Sequence, residues 1–560
     1  MTTGAGQAAT RAESAPPRQR GAHAAAKSGL LRRGAKAVAK PVPVARAARV
    51  ASPPRRVPWP RPATEGVRAT RAAASAGAVA AVPVVPAVLD APGVPAVPAE
   101  APRPVRSTVA DIATALVVLV VVPLALLQVP DAIEWAVPAR FASPQALTSL
   151  LRASGLALSA MAIAAPLGGL AVRRFSAWPV LMAGLGVFGV ADIMANTTWT
   201  IAQVGIDRSL HGAAAGTTLV AAVALIAERP AKARAAQTGW LAACAVTGLI
   251  AASEVMRYRL SHGDWHAALQ PFPELTGVAL GLSGLYALLA DGTGKPAAHQ
   301  RIGFPAAERA RLALLVAPIA GMCAIAIAVT YGHGDGVVAA ALACAISLAG
   351  LAMMTGRTGA GWCAVVCPVV GFTVAPAAGA ATSLLRVTPH SAPLLVIALS
   401  AATVSGALLA VALPERGREP LIACGLSLAA VGYGASFVTG PAGPANPASL
   451  AGLAGPAGQL FVLACGLTMA LTAALRNTGV AGAVCGIVLM LAGVVAGYLA
   501  DGAIELRAVA AADRGAVTVH GALLTADARW DIIAATIAAA VAIAAFRRTF
   551  RRVTSAEVDH

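Results

Sequence analysis

Among the polar residues between positions 192 and 211, Asp192, Asn196, Arg208 and His211 are the candidates for chemistry in a strongly apolar part of the chain. Asp192 and Asn196 are one helical turn apart, and so, nearly, are Arg208 and His211, so each pair shares a helix face. A charged side chain at membrane depth costs several kcal/mol unless it is paired or faces water, and it marks a site of use. The turn between the two apolar runs is short, which lets Asp192 and Arg208 face each other as an ion pair. A carboxylate that exchanges an arginine partner for a proton couples movement to a proton gradient. The same pair also serves as a fixed clamp between helices. His211 adds a group that titrates near neutral pH, or a polar packing residue beside Gly212. Glu254, near Arg257 and Arg259, is a candidate for a polar cavity or for an interfacial charge pair. Gln459 is a further cavity candidate.

The elements that must hold these residues follow from composition. The chain has 560 residues, 58% of them hydrophobic and 12% charged. That balance excludes a soluble globular protein and points to a polytopic membrane protein built from helices. We count fourteen apolar runs of spanning length: 110–130, 148–171, 177–198, 204–226, 236–256, 272–290, 310–331, 336–355, 361–383, 391–413, 419–439, 451–475, 479–500 and 528–546. Abundant Gly and Ala suit close packing of membrane helices. Basic residues alternate between loops: Arg173 and Arg174, Arg229 to Arg234, Lys295 to Arg311, Arg357, Arg416 and Arg418, and Arg476 fall on one side. The positive-inside rule makes that side cytoplasmic, with both termini inside. Trp178, Trp199, Trp240, Trp265, Trp362 and Trp530 fall at span ends, where interfacial anchors sit.

Residues 1–108 hold seventeen of the forty-three basic residues in an Ala/Pro/Arg-rich stretch. Repeated prolines forbid a spanning helix over 76–98, so the region is expected to be a disordered basic cytoplasmic tail. No recognition motif accompanies its charge, so no nucleic acid is expected, and its partner is not specified by the sequence. The eight cysteines all lie in apolar runs. Cys363 and Cys367 are one turn apart with no further ligand at suitable spacing, which makes them packing residues and leaves no metal site. No phosphate-binding loop signature occurs, which argues against an ATP-driven pump, and no cofactor is expected.

Several ordered segments resemble one family. Gly169-Leu-Ala-Val-Arg173-Arg174-Phe-Ser resembles the loop signature G-x-L-a-D-R-x-G, with Arg174 in the arginine place and Arg173, or Val172 if the register slips by one, at the aspartate place. Arg208-Ser-Leu-His211-Gly212-Ala-Ala-Ala-Gly216 resembles the fourth-helix signature R-x-x-Q-G-x-g-A, and Glu228-Arg229-Pro230 with Arg234 continues it. Glu415-Arg416-Gly417-Arg418 stands where the loop signature repeats. From about 108 to 546 the chain is similar to the major facilitator superfamily, and in particular to its fourteen-helix drug:proton antiporters. It departs from them in three places. The first helix carries only Gln128 where the family has an acid, the loop aspartate is replaced, and the fifth helix lacks a Gly-Pro pair.

The resemblance implies a basic tail over 1–108, a six-helix bundle over 109–290 and a loop with two linking helices over 291–360. A second six-helix bundle over 361–546 and a basic tail over 547–560 complete the order. It implies a secondary active transporter of the plasma membrane, not an enzyme, working by alternating access within the lipid bilayer. Protons and an amphipathic small molecule are the expected partners, with export as the direction. Gly169, Arg173, Arg174, Glu415, Arg416, Gly417 and Arg418 are the implied gating-loop residues. The alternatives are a transporter-derived scaffold that no longer transports and an importer of a small metabolite. The count of spans is testable. In a cysteine-free variant, one cysteine placed in 291–309 should label only from the cytoplasmic side and one in 501–527 only from outside. Outer labelling of the first segment breaks the count.

Overall fold

The computed structural model describes residues 105–558 apart from 131–132, 134–135, 142, 262–264, 271, 292–305, 330–334, 357–360, 375–391, 414–417, 440–449, 477 and 513–518. The tail expected over 1–108 lies outside the described residues as far as 104. The helices are α1 (Val105–Leu126), α2 (Pro144–Ser154), α3 (Leu156–Phe175), α4 (Ala177–Ala195), α5 (Ile201–Ala227), α6 (Ala231–Leu260) and α7 (Pro273–Asp291). They continue as α8 (Ala306–Val329), α9 (Asp335–Thr355), α10 (Cys363–Val374), α11 (Ala392–Ala412), α12 (Arg418–Thr439), α13 (Leu450–Leu475), α14 (Val480–Ala512) and α15 (Val519–Val558). No strand occurs among the described residues. Among them, eleven stretches are long and apolar enough to cross a membrane, and Pro273–Leu289 and Cys363–Val374 are shorter apolar helices.

The helices overlie the apolar runs read from the sequence, because a backbone in hydrocarbon must bond within its own segment. Two details differ. The second run is two helices joined at Gly155, and together they give one apolar stretch, Gln145–Phe175. Ser143 caps the first of them by accepting from the Ala146 N–H at 3.4 Å, with Pro144 at the first helical position. The expected outer loop 501–527 is largely helical, since α14 runs on to Ala512 and α15 starts at Val519. The Ala-rich sequence there has high helix propensity and no proline to stop it. The tail expected at 547–560 is likewise helical through Val558. At 1.5 Å per residue, a forty-residue helix is roughly 60 Å long, about twice the hydrocarbon core.

The packing pattern repeats. In the first half α3 packs on α5, α4 on α5 and on α7, and α1 on α6. In the second half α11 packs on α13, and α12 on α13 and on α15. Glycines 371, 493 and 497 bring α10 and α14 together in the place corresponding to α1 and α6. The halves meet reciprocally: α6 touches α11 and α13, while α14 touches α3 and α5. Helix α8 packs on α3, α9 and α14, and α9 packs on α14.

Small residues set these contacts. A Cβ on Gly212 would overlap the carbonyl of Ala157, and one on Gly216 that of Met161. The backbones of α3 and α5 therefore touch along a G-x-x-x-G face, as lipid-embedded helices do when apolar burial gives no net drive. Gly406 against Cys465, and Gly466 against Gly425, do the same in the second half. Replacing Gly212 by Val should push α3 from α5 and cost on the order of 1–3 kcal/mol. A lowered thermal transition of the purified protein in detergent is the expected reading, and an unchanged transition refutes the close contact.

Candidate functional site: a buried aspartate–histidine cluster

The site is built on the first three turns of α5. Thr200 and Gln203 form a capping box there: the Gln203 N–H donates to Thr200 Oγ1 at 3.2 Å, and the Thr200 N–H donates to Gln203 Oε1 at 2.9 Å. This fixes the start of the helix, and hence the rotation of Asp207, Arg208 and His211 about it. All three are buried, with exposures of 0%, 2% and 0%.

His211 lies between two carboxylates. Its Nε2 is 3.1 Å from Asp192 Oδ1 on α4. Its Nδ1 is 3.1 Å from the Asp207 main-chain carbonyl and 3.4 Å from Asp207 Oδ2 on its own helix. The ring of Phe188 lies edge-on at 5.9 Å. Both ring nitrogens thus face acceptors, whereas a neutral imidazole carries one N–H and one lone pair. The geometry is satisfied by an imidazolium donating both ways. It is equally satisfied by a neutral ring that accepts a proton from a carboxylic acid at Asp192. In either form a hydrogen bond joins α4 to α5. Asp192 Oδ2 and Asp207 Oδ1 are buried without a hydrogen-bond partner among the described residues, and Asp207 Oδ2 meets His211 Nδ1 at 3.4 Å. Each unpartnered acceptor costs roughly 1–3 kcal/mol.

Arg208 points elsewhere. Its Nε donates to the Ser154 carbonyl at 3.3 Å and its Nη1 to Gln128 Oε1 at 3.0 Å. Its Nη2 donates to the carbonyls of Gln128 and Pro130 at 3.2 and 3.4 Å. The expected ion pair between Asp192 and Arg208 does not form. Residues three apart on a helix diverge by about 60°, which turns Arg208 toward α1 and α2 while His211 faces α4. Gln128, noted in the sequence only as the lone polar residue of the first helix, is the arginine's partner.

The other candidates separate. Asn196 is exposed; its Nδ2 donates to the Asp192 main-chain carbonyl at 3.3 Å and its side chain exchanges bonds with Gln270. Glu254 is buried with its carboxylate 3.7 Å from Arg257 Nη1 on the next turn, in line with a charge pair at the helix end. Gln459 is half-buried on α13. A Cβ on Gly169 would strike Val484 of α14 at 2.8 Å, which puts Gly169 on the contact between the halves. Arg173 and Arg174 line a cavity with Arg309 of α8. Arg418 donates to the carbonyls of Ala473 and Ala474 at 3.0 and 2.7 Å, closing the end of α13. Glu415, Arg416 and Gly417 lie outside the described residues. Several of the tryptophans make defined contacts within the protein. The indoles of Trp178, Trp240 and Trp362 donate to the Ser283 carbonyl, the Ala115 carbonyl and Glu419, and Trp530 is buried. Trp199 is the exposed one, at 60%.

Sequence reasoning missed Asp207 and Glu228. The signal for Asp207 was present, since it stands four residues before His211, the spacing that brings side chains together on one face. Glu228 ends α5 at the basic end of the molecule. There Arg229 Nε donates to Thr114 Oγ1 at 3.0 Å, lies 3.5 Å from Asp111 Oδ1 and has its guanidinium 5.6 Å from the Tyr286 ring centre. Burial pushes the Glu228 carboxyl up to about 7, while the Ala177 N–H and Arg229 pull it down. A carboxyl bound to its proton more tightly when folded than the ordinary 4.5 stabilises the fold at low pH. That contribution is lost as pH rises through 7. Glu228→Gln should therefore flatten the fall in thermal stability between about pH 5 and 8, a difference of roughly 3 kcal/mol at most. A profile unchanged by the substitution contradicts this.

No protein-family model matches the chain, and no curated protein matches it. Solved structures do. The proton:xylose symporter XylE of the major facilitator superfamily aligns at 14% identity over 79% of this chain and 94% of its own, with a TM-score of 0.45. The human organic anion transporter MFSD10 aligns at 14% identity over 78% and 100%, with a TM-score of 0.48. The major facilitator superfamily transporter FucP in the outward conformation aligns at 13% identity over 79% and 99%, with a TM-score of 0.47. This chain is similar in fold to solved transporters of the major facilitator superfamily.

Proposed function

We propose that the chain is a secondary active transporter of the major facilitator type that couples proton movement to export of an amphipathic small molecule. The observation that carries this is the buried Asp192–His211–Asp207 cluster. With both aspartates ionised and the ring protonated the cluster holds one net negative charge, and one more proton makes it neutral. At membrane depth that change of charge is worth several kcal/mol, enough to bias a conformational equilibrium. The reciprocal contacts of α6 with α11 and of α14 with α3 support rocking of one six-helix bundle on the other. In this reading residues 109–290 and 361–546 are the bundles, and Gly169 is a pivot point between them. Thr247 and Thr403, whose hydroxyls are 2.8 Å apart across the α6–α11 contact, make a polar latch that each cycle breaks. Arg208 holds the α1–α2 end of the first bundle while the cluster titrates. The Ala-rich helix faces favour an apolar substrate over a sugar or a charged metabolite. The plasma membrane is the proposed location, with the basic ends of the helices cytoplasmic.

The test is transport of dyes and antibiotics into inverted vesicles under an imposed pH gradient. The native chain should give flux that collapses with the gradient. Asp192→Asn and His211→Gln should lower gradient-driven flux at least tenfold while leaving downhill exchange, and Arg208→Ala should lower folded yield. Gradient-driven flux that survives both cluster substitutions removes the coupling role. Flux absent for every compound in the native chain favours the scaffold, and gradient-driven accumulation in right-side-out vesicles favours the importer.

A further inference from the structure

An open cavity of about 600 Å³ at the basic end of α3 and α8 is lined by Leu170, Arg173, Arg174, Phe175 and Arg309. Three of its five lining residues are arginines. No carboxylate among the described residues pairs with any of the three. Arg174 Cζ instead lies 5.4 Å from the ring centre of its neighbour Phe175. Holding like charges around one space without an acid is unfavourable unless an anion enters it. The walls beside the cavity are apolar. Phe175 is 58% exposed and Leu167 49% exposed. Leu167, Leu170 and Arg174 follow at spacings of three and four, so they form one stripe that passes from hydrocarbon to charge.

The geometry points to a binding site for the head group of an acidic phospholipid. The three guanidinium groups would take the phosphate, and the acyl chains would lie along the Leu167 stripe of α3. A planar guanidinium offers paired donors that match phosphate oxygens, and basic pockets between membrane helices on the cytoplasmic side suit anionic head groups. A zwitterionic head group fits less well, because no described carboxylate is present to receive its ammonium. A free phosphate ion would meet the arginines but leave the apolar stripe uncovered. The site is one turn from Gly169, the residue of α3 that touches α14. A lipid here would bridge α3 to α8 beside the contact between the two halves of the molecule.

The experiment is native mass spectrometry of the purified full chain, titrated with phosphatidylglycerol or with phosphatidylcholine of the same acyl chains. The native protein should retain phosphatidylglycerol at least tenfold more strongly. Arg173→Gln/Arg174→Gln/Arg309→Gln should abolish the preference, and the triple lysine variant should keep most of it. Millimolar inorganic phosphate should leave the bound lipid in place. Equal retention of the two lipids by the native chain overturns the proposal, as does a glutamine variant that keeps the preference. Displacement by inorganic phosphate overturns the lipid as the source of the anion. Should the triple glutamine variant fail to fold, Arg309→Gln alone is read the same way, with a partial loss expected and no loss overturning the site.

Discussion

The burial of three adjacent charged or titratable groups on α5 is the constraint that organises the first half of this molecule. Asp207, Arg208 and His211 cannot reach water, so each must find partners among neighbouring helices. Arg208 draws on the end of α1 and on the carbonyl of Ser154 at the junction of α2 and α3. Charge-assisted bonds of this kind are worth roughly 1.5–3 kcal/mol each, so several are needed to offset the cost of the guanidinium. His211 draws Asp192 of α4 inward. Gly212 and Gly216 then let α3 lie against the same helix with its backbone in contact. One helix thereby holds α1, α2, α3 and α4, and its polar and glycine faces share the work.

That arrangement divides labour between two kinds of polar contact. Arg208 donates to several oxygens, and its role is to hold. The Asp192–His211–Asp207 cluster leaves carboxylate oxygens buried without a hydrogen-bond partner among the described residues. Arg208 and His211 stand three residues apart on α5, with Asp207 directly beside Arg208. The basic end carries a separate titratable group in Glu228, whose proton is held by burial.

The second half repeats the packing of the first with a different arrangement of charges. Gly406 and Gly466 reproduce the close helix contacts of Gly212 and Gly216, and Arg418 and Arg476 close helix ends by donating to carbonyls. The described part of the second half contains no histidine flanked by carboxylates. Acids of the second half gather instead on α14 and α15, where Asp501 and Glu505 lie near Asp527 and Asp531.

Length, apolar periodicity and the alternation of basic loops determined the class of this protein. A backbone in hydrocarbon has only the helix open to it, and each run long enough to span becomes one. Gly212 and Gly216 were legible for the same local reason, since a four-residue spacing of small residues makes a contact face on any helix. The extension of α14 and α15 past their apolar cores was not read, because hydropathy marks where a helix meets lipid and not where it ends. The partner of Arg208 was also not legible: which way a side chain points depends on the rotation of α5, and that is set by its cap and by contacts with α3. Spacing along one helix could join Asp207 to His211. Only the packing of α4 and α1 around that helix decided that Asp192 belongs to the histidine and Gln128 to the arginine.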